Sequence, residues 1–219
     1  MKIIDISSKI HNKMWSYNPK WKNEIYEFSS TKKSESSTIY EMTLFSHTGT
    51  YIETSQHKLS NEIFLDDFQL DSFYCHIKII IIPIINGKLT LESLIYTLDK
   101  TGEKIEPGDS VIICCGWSAN YIDLPSFISD SPYFEEELTS YLANMKLNLL
   151  GVDIPVIDKQ AKPYNAVRKL FENNERLLLV APLVINLEEI KSSRYILNCI
   201  PLKIEKVCAS LCRPTLILL

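Results

Sequence analysis

The sequence predicts an α/β protein, a single domain with a β-rich mixed-sheet core and few helices. Three observations carry this. Short runs of β-branched and apolar residues outnumber segments with helical spacing. Several of those runs are continuous rather than alternating, which suits strands covered on both faces. No repeat, low-complexity tract or linker divides residues 1–219, and that length supports one sizeable core.

The elements follow in order. Residues 1–7 alternate weakly and read as a first strand. Residues 12–22 carry Trp15, Tyr17, Pro19 and Trp21 and form an aromatic loop. Residues 32–37 (KKSESS) make an exposed turn. Residues 38–45 (TIYEMTLF) are a strand that runs directly into residues 46–57. Residues 74–85 are a buried strand or strand pair. Residues 90–100 (TLESLIYTLDK) open with a Thr-x-Glu cap and keep apolar residues at helical spacing. Pro107-Gly108-Asp109 is a turn before a strand at 111–115. Pro132 and the glutamates behind it start a helix over 133–145. A strand at 147–152, a loop at 153–161 and a short helix at 165–173 come next. Residues 177–180 and 184–186 are strand-like on either side of Pro182, and 198–207 and 215–219 close the sheet.

Composition excludes several functions. Lys plus Arg is 23 and Asp plus Glu is 27, a net charge of −4, so the basic footprint of a nucleic-acid binder is missing. Six glycines leave little room for phosphate-cradling loops. The longest apolar runs, 79–85 and 177–186, each contain a proline and fall short of the ~20 residues that span a bilayer. No membrane partner is expected. Asp5 interrupts the only early apolar stretch, so residues 1–10 do not read as a secretory signal. The six cysteines form no C-x-x-C pair and sit mostly in apolar runs, as reduced structural thiols of a cytoplasmic protein do.

Residues 46–57 (SHTGTYIETSQH) concentrate the chemistry. His47, Tyr51, Glu53 and His57 are all odd-numbered, so an extended chain would turn them to one side. Gly49 allows a bend there. Two imidazoles and a carboxylate could form half of a Zn²⁺ or Mn²⁺ site, or a general base with its orienting carboxylate. They equally suit capping hydrogen bonds at the end of a strand. The chain has only four histidines, His11, His47, His57 and His76, which caps any metal argument.

The segment resembles the motif H-x-G-T-H-x-D-x-P-x-H of the cyclase-like metal-dependent hydrolases, which include bacterial kynurenine formamidase and isatin hydrolase. The matching residues are His47, Gly49, Thr50 and His57. Residues 3–7 (IIDIS) resemble the family's I-I-D-L-S, and 105–117 (IEPGDSVIICCGW) its I-x-x-G-D-x-V-L-L-x-T-G-W. Residues 151–155 (GVDIP) with Asp158 resemble G-I-D-x-P-S-x-D. The resemblance covers nearly the whole chain. It implies a swivelling β/β/α fold, a homodimer or homotetramer, and hydrolysis, dehydration or ring closure of a small organic substrate of the amide or lactone type.

The departures fall on the chemistry. Tyr51 stands where the family has its second ligating His, and Glu53 where it has an Asp. No His follows His76, so the family's distal ligand is missing, and Pro182 falls in the register of a late Glu. The resemblance therefore implies either a single divalent metal, Zn or Mn, on His47 and Glu53, or no metal. His57 keeps the place of the acid/base, Glu53 would orient it, and Tyr51 would donate to a substrate oxygen. Trp15, Tyr17 and Trp117 are expected as substrate-binding walls. Asp153 and Asp158 are expected to bond backbone groups in a tight loop, and Cys114 and Cys115 lack a matched base. The alternative is a catalytically inactive member that binds a small molecule or a protein.

Overall fold

The computed structural model describes residues 2–33, 35–159 and 165–218. Met1, Ser34, residues 160–161 of the expected loop and Leu219 lie outside the described residues. The chain begins with β1 (Lys2–Asp5), then a separate antiparallel ribbon of β2 (Glu24–Ser29) and β3 (Ile39–Thr43). After the three-residue β4 (Tyr51–Glu53) come β5 (Tyr74–Ile81), β6 (Lys88–Leu89) and α1 (Leu91–Thr101). β7 (Ser110–Cys114), α2 (Trp117–Tyr121), β8 (Tyr133–Phe134) and α3 (Glu136–Asn144) follow. The chain ends through β9 (Leu149–Val152), α4 (Ala166–Asn173), β10 (Leu178–Ala181), β11 (Arg194–Asn198), β12 (Ala209–Leu211) and β13 (Thr215–Leu218).

Nine strands form one mixed sheet in the order β1-β13-β11-β5-β7-β9-β10-β4-β12. The middle four, β5, β7, β9 and β10, are parallel. Their connections carry α1, α3 and α4, as parallel pairing requires. Antiparallel strands flank them on both sides.

The continuous apolar runs have their physical reason here. Val111 and Ile113 of β7 join the cluster that holds Leu94 and Leu98 of α1, Leu138 and Leu142 of α3, and Leu170 of α4. Ile112 and Cys114 join a second cluster with Ile52, Leu178, Val180 and Leu216. β7, β9 and β10 are therefore buried on both faces, whereas β5, expected to be covered throughout, leaves Tyr74, His76 and Ile81 exposed. Gly151 makes this close packing possible, since a Cβ there would lie 2.7 Å from Ile112 Cγ1 and 2.9 Å from Leu183 Cδ1.

The helix caps behave as the sequence predicts. Thr90 Oγ1 accepts from Ser93 N at 3.1 Å, and Asn165 Oδ1 accepts from Arg168 N at 2.9 Å. Other expectations need correction. The helix expected from residue 133 begins at Glu136, because Tyr133 and Phe134 pair with Lys88 and Leu89 instead. Residues 184–186 form no strand; Val184 N donates to Ile6 O, and Asn186 caps a 3₁₀ turn. The closing strands lie at β11 and β12 rather than over 198–207. β2 had no counterpart in the sequence reading. All six cysteines are unpaired. Among the described residues no helix is long and apolar enough to cross a membrane.

Replacing Gly151 with Ala should overpack this layer and lower stability by about 1–3 kcal/mol. A shift of the urea midpoint with an unchanged slope would show it.

Candidate functional site

β4 lies between β10 and β12, with Tyr51 opposite Ala181 and Leu211, and Glu53 opposite Leu179 and Ala209. Strand alternation turns Ile52 into the second core cluster and leaves Tyr51 and Glu53 on the other face. The extended alignment of all four odd-numbered residues is not what occurs, because the strand is only three residues long. His57 returns to Glu53 through a 3₁₀ turn at Ser55–His57, closed by His57 N donating to Thr54 O at 3.1 Å. Thr54 Oγ1 donates to Ile63 O and Ser55 Oγ to Glu175 O, both at 2.6 Å, and these bonds fix the turn. His47 arrives from the opposite side through a turn in which Thr48 N donates to Phe45 O. Gly49, at φ +64°, completes the reversal into β4.

The result is a compact polar cluster. His47 Nε2 is 3.1 Å from Glu53 Oε2, and His57 Nε2 is 3.7 Å from the same oxygen. Ser46 Oγ lies 2.9 Å from His47 Nδ1 and orients the ring. Glu53 is only 2% exposed, and among the described residues no Lys or Arg pairs with it. Burial pushes the His57 imidazole below its ordinary value, against the opposing pull of Glu53. His57 is therefore neutral at pH 7 and able to accept a proton.

This donor set fits one divalent cation. The ligand atoms of His47, Glu53 and His57 lie within 4.8 Å of one another. His47 and Glu53 offer an imidazole and a carboxylate, ligand types that Zn²⁺ or Mn²⁺ takes in sites with open positions, and the His57 imidazole stands beside them. A buried carboxylate without a Lys or Arg partner also gains most from a cation.

Tyr51 has a different placement. Tyr17 Oη donates to Pro155 O at 2.8 Å and lies 3.2 Å from Tyr51 Oη. Tyr17 has one hydroxyl proton, and Pro155 takes it, so Tyr51 donates to Tyr17. Burial raises both phenols, which stay protonated, and a neutral phenol is a poor ligand.

A cavity of about 270 Å³ opens over the cluster. Val152 and Ala181, the last residues of β9 and β10, line it at the carboxyl ends of parallel strands, where α/β sheets hold their ligands. Pro155, Val156, Ile157 and Leu179 give apolar walls, and Tyr17 and Trp21 add aromatic ones. Lys58 and Asp158 contribute charge.

The structure thus brings together His47, Tyr51, Glu53, His57 and Tyr17. It does not bring in Trp15 or Trp117. Trp15 stands behind the wall, edge-on to Tyr17 at 5.1 Å and against Phe127 at 5.2 Å. Trp117 is 8% exposed, stacks on Tyr121 at 4.0 Å and donates through Nε1 to Phe127 O. Its place follows from Asp153, whose buried carboxylate accepts the backbone N–H of Cys115, Gly116 and Trp117. Burial raises Asp153 to about 6, against these hydrogen bonds. Cys114 and Cys115 do not line the cavity, and burial raises both thiols. Asp158 accepts from Ala166 N and Val167 N at the start of α4. The sequence reading missed Trp21 and Lys58. Trp21 lies in the aromatic loop already singled out, and Lys58 directly follows His57.

A family model described as "Putative cyclase" matches residues 4–159. A kynurenine formamidase from Erythrobacter litoralis is 26% identical over 179 residues, covering 81% of this chain and 76% of that protein. Isatin hydrolase A from Ralstonia solanacearum superposes with a TM-score of 0.80 at 17% identity, over 98% of this chain and 91% of that one. A protein described as a predicted metal-dependent hydrolase from Bacillus stearothermophilus gives 0.78 at 19% identity, over 98% and 97%. The solved structures establish the shared fold.

Replacing Asp153 with Ala would strip three backbone N–H groups of their acceptor and should cost at least about 3 kcal/mol. Asp153→Asn, which keeps one oxygen, should cost less in the same denaturant titration.

Proposed function

The chain belongs to the cyclase family, and we propose that it hydrolyses a small amide or lactone at the His47–Glu53–His57 cluster. The convergence of both imidazoles on one buried carboxylate oxygen, at 3.1 and 3.7 Å, carries this reading. The formamidase relative supports the reaction class.

His57 is the more exposed imidazole, 29% against 11% for His47, and stands just beyond hydrogen-bond reach of Glu53. Its free Nε2 takes a proton from the attacking water and returns it to the departing nitrogen or oxygen as the acyl bond breaks. Glu53 fixes His47 and keeps negative charge beside the imidazolium that forms. A divalent cation on His47 and Glu53, Zn or Mn, would supply Lewis acidity at neutral pH. Tyr51 holds Tyr17 rather than the substrate, since its one proton is already committed. The apolar walls exclude water around the acyl group.

A second reading is a non-catalytic member that binds a small molecule. The neutral, hydrogen-bonded phenol at position 51 favours it.

The ribbon of β2 and β3 supports a homodimer or homotetramer. Tyr26 lies on one face, and Tyr40 and Met42 on the other, at 47%, 55% and 61% exposure. A ribbon that exposes large apolar and aromatic side chains on both faces suits contact with a second copy of the chain.

Metal analysis of the purified protein should find about one divalent ion per chain, and Glu53→Gln should lose it. His57→Ala should keep the metal and lower turnover of N-formylkynurenine or isatin by roughly 10²–10⁴-fold. Undiminished turnover would reject the role of His57. Metal without turnover in the unaltered protein would favour the binding reading. Light scattering should report a dimer or tetramer, and Tyr40→Glu with Met42→Glu should shift it to monomer.

A further inference from the structure

We infer that Lys58 selects ligands that carry an anionic group, a carboxylate above all, on an apolar or aromatic body. The inference rests on the cavity being the substrate site and adds the charge its substrate bears.

Lys58 closes the 3₁₀ turn that delivers His57 and lines the same cavity. Its backbone is held on both sides: Lys58 N donates to Ser55 O at 3.0 Å, and its carbonyl accepts from Arg168 Nη1 at 3.4 Å. The side chain therefore starts from a fixed point beside the cluster.

The ammonium itself has no acceptor among the described residues. Two other part-buried lysines are paired, Lys78 with Asp109 at 2.6 Å and Lys88 with Glu135 at 3.4 Å. The two carboxylates that share the cavity are engaged elsewhere. Glu53 faces the imidazoles, and Asp158 holds the amides that begin α4. Asp158 feels the charge of Lys58 without direct contact.

Lys58 is half-buried and lines a largely apolar cavity, and an ammonium with spare donors gains from a ligand anion. Charge-assisted hydrogen bonds are about twice as strong as neutral ones, and partial exclusion of water strengthens them further. Trp21 and Tyr17 line the same space and add aromatic surface for an apolar body. Among the described lining residues Lys58 is the one lysine or arginine, and it offers a ligand's negative charge a place apart from a cation on His47 and Glu53.

Calorimetric titration of the full-length protein with benzoate and with benzamide separates charge from shape. Benzoate should bind more tightly than benzamide. Lys58→Met should weaken benzoate roughly tenfold and leave benzamide unchanged, while Lys58→Arg should keep the preference. Equal binding of the two probes, or a benzoate affinity indifferent to Lys58→Met, would overturn the inference. So would a preference lost in Glu53→Gln but kept in Lys58→Met, which would assign the carboxylate to the His47–Glu53 cluster. The readout needs no turnover. A preserved preference in a protein that hydrolyses nothing would reject the hydrolase reading alone.

Discussion

A carboxylate at 2% exposure has given up its water, and Glu53 receives two imidazole contacts and, among the described residues, no ammonium or guanidinium in return. Such a group is expensive to bury unless something charged or proton-rich answers it. The surrounding chain is arranged around that demand. β4 is pinned between two antiparallel neighbours, so Glu53 cannot swing out to solvent. The turn before the strand and the 3₁₀ turn after it bring one imidazole each to the same oxygen. The chemistry of the site is thus a consequence of where a three-residue strand sits in the sheet.

Much of the fold was legible because its causes are local. Thr90 and Asn165 cap their helices with their own side chains, and the apolar run of β7 carries its double-faced burial in its composition. The chemical segment was legible for a similar reason, since its four polar residues lie within eleven positions. What failed depended on partners far away in the chain. Tyr133 and Phe134 look like a helix start until Lys88 and Leu89 offer them a strand to pair with. Trp117 looked like a wall, and only the reach of Asp153 across to three amides shows why it is drawn into the core. Trp15 and Trp21 are equivalent by composition, and tertiary packing alone decides that Trp21 meets the cavity.

The replacement of an imidazole by a phenol at position 51 reads differently once the neighbours are known. In isolation Tyr51 is a weak ligand or a substitute donor. In place, its ring lies tilted beside His47 at 4.5 Å and it spends its proton on Tyr17. A change that removes a ligand has here become part of the scaffold that shapes the pocket.

That scaffold has a mechanical side. Tyr51 belongs to the sheet and Pro155 to the loop after β9, and Tyr17 from the N-terminal aromatic loop ties them with two hydroxyl bonds. Three segments distant in sequence are therefore joined at the cavity wall. Wall segments joined in this way before a ligand arrives lose little further freedom on docking. Shape discrimination in this pocket then comes from rigidity, with the two phenols acting as the rivets.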